Sequence, residues 1–344
     1  MTSQGEAIIR YTMTNERGSS AQITNLGAAI IGINVPDRTG KIGDVVLGYS
    51  TAEDYLNDRQ ALGKCLGRVA GCIAQGRLTI SGEEIQLERN EGRHHVHGGK
   101  NGFSERLWES RVETNRVVMS IVSEDGEGGY PAEVACEIAF DFTEENALEI
   151  TYLAKASATT ALNLTHRIFW NLDGASSESI WAHELRMHAD KAFEINAHQI
   201  ASGVIFDTQG TPQDFGEFCA IGTHRNEAFN QIDELGGFAH PYLISDWQEN
   251  ILGKVAELRS QQSGRKVEIL SSQRSVLLDT GNLLSGEGIP SKNGTELKDN
   301  QGVAIQPMNI VTSSPSTHLP SIELRPEECY CQKTVYRFST FEAN

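Results

Sequence analysis

EVACEIAFDFTEENALEITYLAKA, residues 133–156, is two runs of β-branched, aromatic and small apolar residues around a polar Thr143-Glu144-Glu145-Asn146 break. Such a stretch reads as strand, turn and strand. Working outward, the same texture recurs in AQITNLGAAIIGINVPD from Ala21, DVVLGY from Asp44 and RVVMSIVS from Arg116. It continues in KVEILSSQRSVLLDTGN from Lys266 and closes in CYCQKTVYRFSTF from Cys329. No recurring alternation of strand and helix interrupts it, so the expected fold is all-β, a large sandwich of antiparallel sheets. The helical signal is small: TAEDYLND makes about two turns, with Thr51 as its cap. No internal repeat, low-complexity tract or linker splits the chain, so residues 1–344 are expected to form one domain.

Composition narrows the function. With 39% hydrophobic and 22% charged residues, the chain suits a globular protein with a sizeable core. A formal charge of −17 argues against phosphate-backbone binding, so no nucleic-acid partner is expected. No apolar run approaches bilayer length, and MTSQGEAIIRY lacks the basic-then-apolar order of a signal peptide. The expected setting is cytoplasmic, with no membrane partner. Six cysteines (Cys65, Cys72, Cys136, Cys219, Cys329, Cys331) form no CxxC pair, and Cys329 and Cys331 are expected to share one strand face as core thiols. The Asn-x-Thr matches at Asn163 and Asn293 carry little weight without a secretory signal.

The sharpest local feature is Asn90-Glu-Gly-Arg-His94-His95-Val-His97-Gly98-Gly99, followed by Gly102-Phe103 and Trp108. In an extended strand His95 and His97 face one side and His94 the other, and no second cluster at ligand spacing completes a zinc site. No metal and no cofactor are therefore expected. The alternative is a single working histidine held by a glycine-rich turn that lets backbone approach a ligand.

These residues resemble the aldose 1-epimerase family, whose motif pairs His-Gly-Gly with a following Gly-Phe and Trp. Other stretches resemble the family in the same order: Leu47-Gly48-Tyr49, Gly67-Arg68-Val69-Ala70 with Ile73 and Gly76, and Gly129-Tyr130-Pro131. Asn163-Leu164-Thr165, Asn171-Leu172, Gly210-Thr211-Pro212, Asp214-Phe215, Thr280-Gly281-Asn282 and Leu324-x-Pro326 extend the match over about residues 7–339. The resemblance implies a galactose-mutarotase-like β-sandwich and interconversion of sugar anomers. A glutamate takes the anomeric hydroxyl proton while a histidine protonates the ring oxygen, a task that suits a carboxylate and an imidazole near neutral pH.

Carried over residue by residue, the resemblance gives an unusual site. His97 matches the family's ring-contacting histidine. The Asn-Arg pair falls on Gly71 and Cys72, the acid on Arg167 with His166 one position earlier, and the base on Gln306. The sugar-binding aspartate falls on Ala239, beside His240, the glutamine before Thr-Gly-Asn on Leu277, and its tyrosine neighbour on Asp279. A guanidinium does not trade protons at ordinary pH, and an amide has no useful basicity. A one-residue slip in a strand would point His166 to the opposite face from Arg167.

Three readings stay open: a local shift that restores His166 in an ordinary aldose 1-epimerase, a site turned to another reaction, and a non-catalytic carbohydrate binder. The candidate catalytic residues are His97, His166, Arg167 and Gln306. The candidate substrate-binding residues are Arg68, Cys72, Trp170, His240 and Asp279. The expected function is isomerase-type acid–base chemistry on a cyclic, hydroxylated, sugar-like small molecule, in a monomer or homodimer.

Overall fold

The computed structural model describes residues 5–196, 198–224, 235–312 and 319–342, so His318 lies outside the described residues. The 133–156 stretch forms the hairpin Val134–Phe142 and Ala147–Ala156, with Phe142 opposite Leu148 and Val134 opposite Ala156. Its turn closes through Thr143 N donating to Ala147 O at 2.9 Å, and Asn146 takes a left-handed φ of 58°. Asparagine tolerates that conformation better than most residues.

This hairpin lies inside a nine-stranded antiparallel sheet. The spatial order is Glu109–Glu113, Arg116–Ser123, Val134–Phe142, Ala147–Ala156, Tyr330–Thr340, Arg265–Ser271, Gly253–Arg259, Glu184–Met187, Cys219–Ala220. A six-stranded antiparallel sheet packs on it, in the order Phe169–Trp170, Val303–Pro307, Ser275–Asp279, Ala239–Leu243, Lys191–Ile195, Ala201–Asp207. Four strands near the start of the chain, Arg10–Thr14 through Ile42–Asp44, make a third sheet. The protein is thus the antiparallel β-sandwich expected from sequence.

The main core lies between the two large sheets. Val276, Leu278, Val303, Ile305, Tyr242 and Trp170 project from the six-stranded side to meet Ile138, Phe140, Ile150, Val267, Tyr336 and Phe338. Trp170 packs its ring 5.0 Å from Tyr336 and 5.6 Å from Phe338. Because side chains alternate along a strand, the intervening residues Leu277, Asp279, Ala304, Gln306 and Phe169 project from the other face of the same sheet. Loops carrying residues 61–72 and 95–99 lie over that outer face, with Ala61, Leu66 and Ala70 joining Leu277 and Met308 in a smaller apolar cluster.

The helix TAEDYLND forms as Ala52–Leu56, shorter than two turns. Thr51 caps it, accepting from Asp54 N while the Asp54 carboxylate accepts from Thr51 N. Two expectations need correction. Cys329 and Cys331 are exposed rather than core thiols. Tyr330 between them turns inward, where its hydroxyl accepts from Leu164 N at 3.1 Å, so Cys331 takes the solvent side. The extended run of histidines also ends early: only His95 and Val96 form a strand, and His97 adopts φ 53°.

Candidate functional site

The outer face of the six-stranded sheet supplies the floor. Phe169 stands opposite Ala304, and Ala304 opposite Asp279, so these three side chains form one cross-strand row. Gln306 and Leu277 form the next row. Arg167 enters from the residue pair Thr165–His166, which is paired with Cys65–Leu66. Its guanidinium lies 5.3 Å from the Phe169 ring centre and donates through Nη2 to Asp279 Oδ2 at 3.1 Å. Ala304, between Phe169 and Asp279, is small enough to let the guanidinium cross the row. The Asp279 carboxylate is also held by Gly281, whose N–H donates to Oδ1 at 2.8 Å.

The 95–99 turn supplies the wall. Gly98 has φ 93°, and a Cβ there would lie 1.7 Å from the Gly67 carbonyl oxygen, so no other residue fits without moving backbone. This close approach and the left-handed His97 turn the imidazole toward Gly71 and Arg167. His97 N donates to Gly71 O at 2.9 Å, and Gly71 N donates to His97 Nδ1 at 3.1 Å. Nδ1 is therefore an acceptor, which places the proton of the neutral ring on Nε2. Nε2 faces Arg167 Nη1 at 3.5 Å, the outer limit of hydrogen-bond distance, and the shorter 3.1 Å bond from Gly71 to Nδ1 makes this a contact between two donors.

Burial first, then the Arg167 charge and then His95, lowers the His97 pKa from 6.5 to about 3. The ring is neutral at physiological pH. Gln306 is 1% exposed, and its Oε1 has no partner among the described residues. Cys72 pairs with Val96 beside the turn and is half-buried; burial and then Glu91 push its thiol up to about 11. The arrangement offers fixed donors, an ion pair and a neutral imidazole.

The remaining sequence candidates lie elsewhere. His166 points the opposite way from Arg167 and is fully enclosed. Its Nε2 donates to Ala28 O at 3.0 Å and its Nδ1 meets the Tyr152 hydroxyl at 2.7 Å, while burial lowers its pKa to about 4. Trp170 is on the core side of its strand. His240, beside Tyr242 and Leu278 in register, is likewise core-facing, with burial lowering its pKa to about 4. Arg68 is 2% exposed and is spent on the 123–131 loop, donating to Ser123 O at 2.8 Å, Glu124 O at 2.6 Å and Pro131 O at 3.0 Å.

The sequence marks Phe169, with Trp170, only as an aromatic that packs or lines a cleft, not as the ring that carries the guanidinium, and sequence reasoning missed Gly71, whose N–H fixes the His97 tautomer. The strand alternation around Trp170 was the available signal for Phe169; nothing in the sequence marks the Gly71 backbone contact. His94 and His95 do not join the site. His95 is bonded to Glu88 O and the Tyr130 hydroxyl, both at 2.7 Å, and His94 stacks 5.1 Å from the His198 ring. Among the described residues no cluster of three or more His, Cys, Asp or Glu is placed to hold a metal ion.

The chain matches the family described as aldose 1-epimerase over residues 10–337. It is 34% identical to galactose mutarotase from Mus musculus over 339 residues, which is 98% of this chain and 96% of that one. It is 27% identical to aldose 1-epimerase from Escherichia coli K12, covering 97% of this chain and 96% of that one. The crystal structure of a GalM/aldose epimerase homologue from C. elegans superposes with a TM-score of 0.89 at 28% identity, covering 98% of this chain and 100% of that one.

Proposed function

The chain belongs to the aldose 1-epimerase family, and from that footing we propose that it binds a cyclic, hydroxylated small molecule of the sugar class in the His97–Arg167–Asp279 cleft without efficient interconversion of anomers. The observation that carries this reading is the Arg167–Asp279 ion pair set against a neutral His97. Anomer interconversion by opening the ring needs one group to remove a proton and another to deliver one. The Asp279 carboxylate is committed to Arg167 and Gly281, Gln306 is an amide, and His97 has its proton fixed on Nε2. Donors that do not titrate still hold hydroxyl and ring oxygens, which is what a binding site requires.

The proposal takes the chain as one domain, monomeric or homodimeric, in a reducing cytoplasmic setting. Six free cysteines support the last point. No helix among the described residues is long and apolar enough to cross a membrane.

A second reading, catalysed mutarotation of an aldose, is supported by the 34% identity to a galactose mutarotase along nearly the whole chain. Calorimetry and polarimetry on the same sugars separate the two. Heat of binding with only the spontaneous rotation rate is the outcome expected here, and a catalysed rate would favour the second reading.

A further inference from the structure

Arg167 uses one corner of its guanidinium on the protein. Nη2 reaches Asp279, and among the described residues Nε is sealed from solvent without a partner while Nη1 meets the His97 Nε2 edge at 3.5 Å. A guanidinium carries five N–H donors and matches carboxylates in a two-pronged geometry, whereas its contact with Asp279 is single. Opposite Nη1, His97 presents N–H and not a lone pair, because Gly71 N–H already occupies Nδ1. The 3.5 Å contact thus sets two donors against each other, and among the described residues no oxygen acceptor is bonded to either. Arg167, His97, Cys72, Leu277 and Asp279 are all only partly buried, so solvent reaches the rim of this group.

We infer that the ligand of this cleft carries a carboxylate, one oxygen of which bridges His97 Nε2–H and Arg167 Nη1 from the open side, and is a cyclic sugar acid rather than a neutral aldose. The inference rests on the binding reading above and adds the chemical class of the ligand. A neutral sugar hydroxyl placed at the same point satisfies the donors only by accepting from both. A carboxylate oxygen does so with formal charge opposite the guanidinium, and charged hydrogen bonds are about twice as strong as neutral ones. Asp279 competes for the guanidinium but holds a different nitrogen and is itself restrained by Gly281. The neutral His97 adds a donor without adding a titrating charge.

The test is calorimetry on the full chain at pH 7 with D-glucuronate, its uncharged amide D-glucuronamide, and D-glucose. Glucuronate is expected to bind at least about tenfold tighter than either neutral compound, a difference of about 1.4 kcal/mol. Arg167→Gln is expected to bring glucuronate down to the level of the amide. Should the variant fold poorly, the acid-against-amide comparison on the unaltered chain decides alone. Glucose or the amide binding as tightly as the acid would overturn the inference and leave the binding reading standing. No binding by any of the three would overturn both.

Discussion

The two faces of the six-stranded sheet use the same strands for opposite ends. On the inner face Val276, Leu278, Val303 and Ile305 are fully or almost fully buried against the nine-stranded sheet, and the polar His166 nearby has both ring nitrogens bonded. On the outer face lie Asp279, Gln306 and the incoming Arg167, and Gln306 Oε1 and Arg167 Nε have no partner among the described residues. Buried polar atoms normally find partners, since leaving one unmade costs about 1–3 kcal/mol. Buried atoms without a partner among the described residues occur on both faces, Trp170 Nε1, His240 Nε2 and the Tyr242 hydroxyl on the inner one; what sets the outer face apart is the partly open Arg167–Asp279 ion pair. The neighbours His166 and Arg167 make the contrast within two residues: one completes a core, the other enters a cleft.

The largest expected effect is on the inner face. Trp170→Ala removes a fully buried ring packed on Tyr336 and Phe338. It is expected to cost about 3–5 kcal/mol in denaturant unfolding, while ligand affinity per folded molecule stays the same. A large change in affinity without loss of stability would place Trp170 functionally on the wrong side of the comparison.

Acid comes next. His166 and His240 titrate in the folded state near 4, below the ordinary 6.5, because burial disfavours their charged forms. The unfolded chain therefore takes up protons first as the pH falls. Stability is flat above about 6.5 and declines between 6.5 and about 4, by up to about 1.4 kcal/mol per pH unit for each ring. Urea unfolding across that window checks it, and stability that holds constant down to pH 4 would contradict the enclosed, neutral imidazoles.

Arg167→Gln has a smaller effect on the fold, about 1–2 kcal/mol, because the pair it breaks is partly open and its partner keeps the Gly281 N–H. Its effect on ligand affinity is expected to exceed tenfold, the reverse of Trp170→Ala. Equal losses from both variants would dissolve the distinction between the faces. Smallest of all is Gln306→Glu, expected to leave the rotation rate of galactose at its spontaneous value. A lone carboxylate opposite Leu277, with Arg167, Cys72 and Ala239 unchanged, lacks the partner acid, and groups that act as a unit do not add.

Much of this contrast could be read from the chain. The 133–156 stretch carried the hairpin, and alternation in Ser275–Asp279 and Val303–Pro307 already separated Asp279 and Gln306 from Leu278 and Ile305. The one-residue offset between His166 and Arg167 predicted opposite faces, and His97 was singled out by its glycines. The Arg167–Asp279 pair was not legible, because 112 positions separate the two and only the register through Ala304 joins them. The reversal at His97 was hidden too, since its φ is imposed by the close passage of Gly98 over the Gly67 carbonyl. Arg68 looked like a site residue only because its carbonyl partners at 123–131 are made by a distant turn.

The most direct measurement is polarimetry on freshly dissolved α-D-galactose and α-D-glucose with the purified chain. A neutral, tautomer-locked His97 beside an Arg167–Asp279 ion pair should leave both sugars relaxing at their spontaneous rates. Relaxation within about tenfold of an ordinary mutarotase, or about 1.4 kcal/mol in barrier, would mean that this cleft moves protons after all.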